Sequence, residues 1–438
     1  MMFFKDTLVC IAGLTVFKNL RQRGLLCRLY KILKLLNTGS PDITDVVEAW
    51  ASFLEVFLDN PCVSFNNALY EEAIKDENPW TLAAEHHTPD VRQTTLLHEE
   101  AKTDLQRLSY IATFDLIELS NLISQLTKKF DALNAAYFIK SESEIWTLHN
   151  SGLQPEAKLW ILENFMGAVR RNGAGIFSEG TFFYWKAKKG IKLASQADRV
   201  RVIDFSGYEA QREVVISNTR RFISGNHGAN NMLLYGDRGT GKSATVKAVC
   251  NEFANQGLRL VEVAKKDLRY LPKIMAHLSG RALRFILFID DLSFESGDTS
   301  FTTLKALLEG SIEAKPDNIV VYATSNRRHL VKENAGDRPQ SHTDVRAFDT
   351  MQEQLSLADR FGITVIYTSP SQDEYLQIAA FIARKRGLPI PPSGSTDDEL
   401  KVFYENALRW ERWFNGRSPR TAHQYVDWLS GGEGFPWE

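Results

Sequence analysis

The chain has 438 residues, room for two or three domains at a usual size of roughly 150 each. Apolar residues make up 44% and charged residues 24%, ordinary for a folded protein, and 27 Gly with 14 Pro are too few for a collagen-like or wholly disordered chain. With 52 basic and 54 acidic side chains the net charge is −2, so no global field draws the chain to nucleic acid or to an anionic membrane.

The cysteines are Cys10, Cys27, Cys62 and Cys250, with no C-x-x-C pair, which argues against a disulfide framework or a zinc module. His86, His87, Asp90 and His98 form the only histidine cluster, and its polar setting reads as a solvated loop rather than a metal site. Residues 7–17 are apolar for 11 positions. That is too short for a membrane span of about 20, and no A-x-A cleavage motif follows, so a cytoplasmic location is expected.

In chain order, residues 1–36 carry seven basic side chains against one acid, and residues 41–79 carry nine acids against one base. Leu25, Leu26, Leu29, Ile32, Leu33 and Leu36 recur at helical spacing, with Arg28, Lys31 and Lys34 between them. Such a basic amphipathic helix either docks on a partner or membrane surface or packs on its own domain, and the second is the simpler expectation. Helical periodicity continues through 46–58, 105–130 and 155–170, so residues 1–170 are expected to form a mostly helical module. Asn172-Gly173-Ala174-Gly175 breaks the pattern. Residues 181–185 and 191–194 then flank Lys188-Lys189-Gly190 as a small hairpin, making 171–202 a β-containing connector.

From residue 203 the rhythm changes. Short apolar runs at 232–235, 258–263, 285–289, 319–324 and 363–368 alternate with helical stretches. Five such strands predict an α/β core over 203–370, a five-stranded parallel sheet with helices on both faces. Beyond Pro370 the strands stop. Ser371 and Glu374 form a capping box that opens a helix which Gly387 can end, Thr396 and Glu399 open another, and Ser418-Pro419 starts a third. Residues 371–438 are therefore expected to be a helical lid.

The strongest signal is Gly236-Asp237-Arg238-Gly239-Thr240-Gly241-Lys242-Ser243, a full match to G-x-x-x-x-G-K-[ST] between a strand and a helix. Gly236, Gly239 and Gly241 let backbone N–H groups turn inward around a phosphate. Lys242 is placed for the β- and γ-phosphates and Ser243 for Mg²⁺, while Asp237, Arg238, Thr240 and Ala244 complete the nucleotide-contacting loop. The apolar run from Phe285 ends in Asp290 and Asp291. Acids at the C-terminal edge of a buried strand suit a cation or an activated water, Asp290 as metal ligand and Asp291 as the group that polarises water. An ordinary strand-end turn is the alternative.

These motifs, with Asn326 closing VVYATSN, Arg360 in LADRFG and Arg420 in RSPRTA, resemble AAA+ ATPases in kind and order. Stretches such as LLYGDRGTGKSATVKAV, RFILFIDDLSFE and SLADRFG are more narrowly similar to a bacterial family of uncharacterised ATP-binding AAA+ proteins. The resemblance covers about 170–438. It implies a P-loop αβα core with a helical lid, and ATP and Mg²⁺ as cofactors. Gly207 and Tyr208 would lie at the adenine pocket, Asn326 would act as sensor 1, Arg360 as a finger reaching a neighbouring subunit's ATP, and Arg420 as sensor 2. Read from the residues alone, Asn326 could cap a turn and Arg360 could pair with Asp359. Asp291 stands where many of these proteins carry Glu, one methylene longer, so slow hydrolysis is expected. The implied function is an assembling, homo-oligomeric ATPase that remodels or loads a macromolecular partner. The alternative is a nucleotide-gated binding protein with little turnover, its protein partner recognised by the N-terminal helices. A nucleic-acid partner is open by analogy with loader proteins and has no support from composition. A small-molecule kinase fits less well, because no second substrate signature accompanies the lid. Residues 327–354 read as a solvated polar loop, with Arg327, Arg328 and His329 able to touch phosphates.

Overall fold

The computed structural model describes residues 2–38, 40–59, 64–86, 91–127, 157–196, 198–225, 229–293, 299–309, 316–326, 360–391, 398–414, 416–432 and 434–435. Cys62, His87, Asp90, Asp359, Thr396 and the polar stretch 327–354 lie outside these residues. The chain divides into two compact units, 1–179 and 180–438.

The first unit is helical: α1 Met2–Ala12, α2 Gly24–Leu36, α3 Ile43–Leu58, α4 Phe65–Ile74, α5 Pro79–Glu85, α6 Val91–Ala112, α7 Leu116–Thr127 and α8 Leu162–Asn172. The helical run from 105 divides at residues 113–115, where Asp115 accepts from the backbone N–H groups of Ile117 at 2.8 Å and Glu118 at 3.0 Å and so caps a new helix. The basic amphipathic helix α2 packs on its own unit: Leu25, Leu26, Leu29, Ile32 and Leu33 are buried in its core. Acids of the following segment serve it. Glu72 accepts from Leu25 N at 2.8 Å at the start of α2, where the helix dipole favours a negative charge, and buried Asp76 takes hydrogen bonds from Arg23 at 3.2 Å and Asn19 at 3.1 Å. The local charge asymmetry of the sequence is thus partly spent inside the unit. On α6, buried Asp104 accepts from the N–H groups of Thr15, Val16 and Phe17 and from Arg107, fixing the turn after α1.

The second unit is built on one sheet of β1 Phe182–Lys186, β2 Gly190–Leu193, β3 Met232–Gly236, β4 Leu258–Glu262, β5 Arg284–Ile289, β6 Ile319–Ser325 and β7 Ile363–Tyr367, in the order β2-β1-β4-β5-β6-β3-β7. All neighbours run parallel except the β1–β2 hairpin. The expected five strands are seven. The hairpin at 182–193 forms where the turn residues placed it, but β1 then pairs with β4, Phe182 opposite Leu260, and extends the sheet instead of linking it to something else. Edge pairing satisfies β4's outer backbone groups, which a five-stranded sheet would leave open.

Helices α9 Glu209–Ile223, α10 Lys242–Phe253, α11 Leu271–Ser279 and α12 Thr299–Glu309 accompany the sheet, giving the α/β P-loop architecture. Three further helices, α13 Gln372–Lys385, α14 Asp398–Trp413 and α15 Pro419–Gly431, form the lid around Tyr375, Ile378, Trp410 and Tyr425. Their starts follow the sequence signals: Ser371 and Glu374 cap each other's backbone, and the Ser418 hydroxyl accepts from Thr421 N at 3.1 Å with Pro419 at N1. Among the described residues, no helix is long and apolar enough to cross a membrane.

Candidate functional site

Parallel strands open their C-terminal ends along one edge, and there β3 runs into the glycine-rich loop. Gly236 has φ +139°, and a Cβ at this position would overlap the Tyr367 carbonyl at the end of β7. Only glycine allows the two strand ends to meet. Gly239 (φ +78°) passes beneath the start of α15: its carbonyl accepts from Arg420 N at 3.2 Å, and a Cβ would lie 2.9 Å from the Ser418 hydroxyl. The loop is therefore held between the sheet and the lid.

A cavity of about 780 Å³ opens above the loop. Arg238, Gly239, Thr240, Gly241, Lys242, Ser243 and Ala244 line its floor, Asp290, Asp291 and Asn326 one wall, and Tyr208, Tyr367, Arg420 and His423 belong to its lining too. Expected site residues as far apart in the chain as Tyr208 and Arg420 thus share one space. Lys242 donates to the carbonyls of Gly236 at 3.0 Å and Asp237 at 2.7 Å and to Asn326 Oδ1 at 3.1 Å. Burial pushes its ammonium below its ordinary pKa and Arg420 adds to this, while Asp237, Asp290 and Asp291 pull it back up.

The carboxylates are held by a short network. Asp290 Oδ1 accepts from the Ser243 hydroxyl at 2.5 Å, from Thr324 Oγ1 and from Asp291 N at 3.2 Å. Asp291 has a left-handed backbone, φ +50°, which aspartate tolerates better than most residues. Thr324 Oγ1 accepts from its N–H at 3.0 Å, and Asn326 Nδ2 donates to its carboxylate at 2.7 Å. Thr324 was not singled out from the sequence, although it lies two residues before Asn326 on the same strand. Its side chain settles the positions of both acids.

The donor set suits a hard cation. Ser243 and Asp290 converge as hydroxyl and carboxylate oxygens, the ligands Mg²⁺ takes alongside water and phosphate. Among the described residues, no three His, Cys, Asp or Glu side chains form a metal-holding cluster.

One side of the cavity is aromatic. Tyr208, also left-handed at φ +61°, stacks on Tyr367 with ring centroids 5.3 Å apart and donates its hydroxyl to Thr368 O at 2.7 Å. Burial raises the Tyr208 pKa further above its ordinary value, so the phenol stays a donor at neutral pH. Arg212 donates to the Gly207 carbonyl and holds the loop that carries Tyr208.

Four expected site residues do not line the cavity: Gly207, Gly236, Asp237 and Arg360. The two glycines shape the backbone instead. Asp237 turns its carboxylate away, accepting from the N–H and the hydroxyl of Ser369, both at 2.7 Å, where β7 leads toward the lid. Arg360 precedes β7, whose first residue Ile363 pairs with Met232 at the start of β3. It therefore sits at the edge of the sheet opposite the phosphate loop.

A family model described as a protein of unknown function (DUF815) matches residues 178–433, nearly the whole of the second unit. The chain belongs to the DUF815 family. No curated protein matches the sequence. Among solved structures, two variants of RuvB from Thermotoga maritima align at 16% identity, covering 53% and 54% of this chain and 65% of theirs, with TM-scores of 0.35 and 0.36. A third, titled the Holliday junction branch migration motor of that organism, aligns at 15% identity over 52% of this chain and 72% of its own, with a TM-score of 0.31. The chain thus spans just under two thirds of the first of these structures. The fold of this DUF815 member rests on its own strand order and phosphate loop.

Proposed function

We propose that the chain is a Mg²⁺-dependent ATPase of the AAA+ type, working as a homo-oligomer that remodels or loads a macromolecular partner. The observation that carries the reading is the convergence of Lys242, Ser243, Asp290, Asp291 and Asn326 around one cavity large enough for a nucleotide. Bound Mg²⁺ would neutralise charge that develops on the phosphates. Lys242 is already buried and directed at two carbonyls, so phosphate oxygens replace acceptors it is poised to leave. Asp291 aligns a water for attack on the γ-phosphorus and takes its proton as the bond to the bridging oxygen breaks, yielding ADP and phosphate. Asn326 orients the same water, and Arg420 meets the nucleotide from the lid.

One observation favours a slower, switch-like variant of this reading. Asp291 is bound to Asn326, and its side chain is one methylene shorter than the glutamate of many relatives in the fold, so the water-polarising group is partly engaged before any water arrives. The test is ATP hydrolysis by the purified full-length chain with Mg²⁺, compared with Lys242→Ala. Hydrolysis that depends on Lys242 supports the ATPase. ATP binding without turnover above the Lys242→Ala background leaves only the switch, and no ATP binding sinks both.

A further inference from the structure

The cavity carries one acid that phosphate chemistry does not explain. Asp290 and Asp291 lie at the phosphate end, bound to Ser243 and Asn326. Asp198 lines the same cavity from the segment that leads to the loop carrying Tyr208. Asn251 Nδ2 donates to the carbonyls of Asp198 and Val200, both at 2.8 Å, pinning this segment to α10 two turns beyond Ser243, about 12 Å along its axis. The Asp198 side chain is exposed, its Oδ1 accepts from Val200 N at 3.3 Å, and no described residue donates to Oδ2.

The other fixed charges of the lining, apart from the two acids at the phosphate end, are cationic: Arg212, Arg238, Lys242, Lys247 and Arg420. A carboxylate among them is repelled by phosphate and favours an uncharged part of the ligand that donates hydrogen bonds. Lys247, which lines the cavity beside the same segment, is one helical turn from Ser243, about 6 Å along α10. With phosphates gathered at the start of the helix, the next part of a nucleotide, the sugar, would fall at this turn, with the base toward Tyr208. We propose that Asp198 reads the ribose hydroxyls and makes the site selective for ribonucleotides over deoxyribonucleotides. The inference rests on the nucleotide-binding reading given above.

Calorimetric titration of the full chain with ATP, 2′-deoxy-ATP and 3′-deoxy-ATP tests it, in wild type, Asp198→Ala and Asp198→Asn. Wild type is expected to bind at least one deoxy analogue about tenfold more weakly, the size of one charge-assisted hydrogen bond. That ratio should fall to within about twofold in Asp198→Ala and lie between in Asp198→Asn, which keeps an acceptor without the charge. A folding defect weakens all three nucleotides together and leaves the ratio unmoved, and Asn251 holds the segment by backbone carbonyls that the substitutions retain. Equal binding of the three by wild type, or an unchanged ratio in Asp198→Ala, overturns the inference. Lys242→Ala separates the two failures: binding that Lys242 controls but that ignores the sugar sinks only the ribose assignment. Absence of nucleotide binding sinks the proposed function and this inference with it.

Discussion

Asn326 stands between Lys242 and Asp291: its amide donates to the Asp291 carboxylate at 2.7 Å and its oxygen accepts from the lysine at 3.1 Å. One side chain thus joins the cation expected on the phosphates to the acid expected on the water. Neutral Asn can do both because it carries a donor and an acceptor on the same planar group; Asp in its place would set two carboxylates side by side.

Asn326→Ala should therefore lower kcat about 100-fold, the cost typical of removing one positioned polar group at a reacting phosphate or carbonyl, while ATP affinity moves less than about threefold. Steady-state hydrolysis with calorimetric binding reads both. A fall in affinity as large as the fall in kcat would mean that Asn326 merely holds the loop.

The glycines of the phosphate loop should differ in how badly they tolerate alanine. At Gly236 the added Cβ overlaps the Tyr367 carbonyl, a backbone atom that can move only by parting β3 from β7. At Gly241, φ is +91° but nothing lies within 4 Å of the added atom. Gly241→Ala is expected to cost about 1–2 kcal/mol of backbone strain, and Gly236→Ala more than about 3 kcal/mol. Urea unfolding gives the order, and equal costs would contradict the close approach at Tyr367.

The lid is tied to the segment before Tyr208 by Lys385, whose ammonium donates to Asp204 Oδ1 at 2.6 Å. That bond, more than any other contact, holds the Asp204 carboxyl below its ordinary 3.8. Because the folded value is the lower one, the pair stabilises the protein fully above pH 3.8 and loses its contribution as the pH falls through the folded value. Lys385→Met should cost about 0.5–1 kcal/mol near neutrality, since the lysine is half exposed. The gap in Tm between variant and wild type should close on acidification below pH 3.8. A gap that stays constant with pH would assign the loss to packing of the lysine stem.

How much of this was legible in the sequence depends on how local each feature is. The phosphate loop and the strand-end acids are contiguous, and the capping residues Ser371 and Ser418 act within three positions, so all could be read directly. The β1–β2 hairpin was legible as a hairpin, but its parallel pairing with β4 joins Phe182 to Leu260, and no local pattern encodes a partner 78 residues away. The Asp237–Ser369 contact spans 132 residues and leaves no local signal, so the sequence groups Asp237 with the nucleotide-contacting loop although its carboxylate is bound to Ser369. Thr324 failed to register for a different reason: a threonine in a strand is ordinary by propensity, and only the short approach to Asp290 distinguishes it.

Arg360 is the residue whose proposed role requires a second copy of the chain. It lies at the sheet edge away from the phosphate loop and does not line the cavity of its own subunit, so any action on ATP must be on a neighbour's. Arg360→Ala should leave ATP affinity unchanged and reduce kcat about 1,000-fold, the lower end for an arginine finger. Wild-type hydrolysis should accordingly rise more steeply than linearly with protein concentration as assemblies form. Mixing Arg360→Ala with Lys242→Ala gives interfaces in which an intact phosphate loop meets an intact arginine, and activity should return in the mixture. Co-assembly shown by sedimentation without any return of activity, or a specific activity of wild type that is independent of concentration down to the monomer, would place Arg360 outside the reaction.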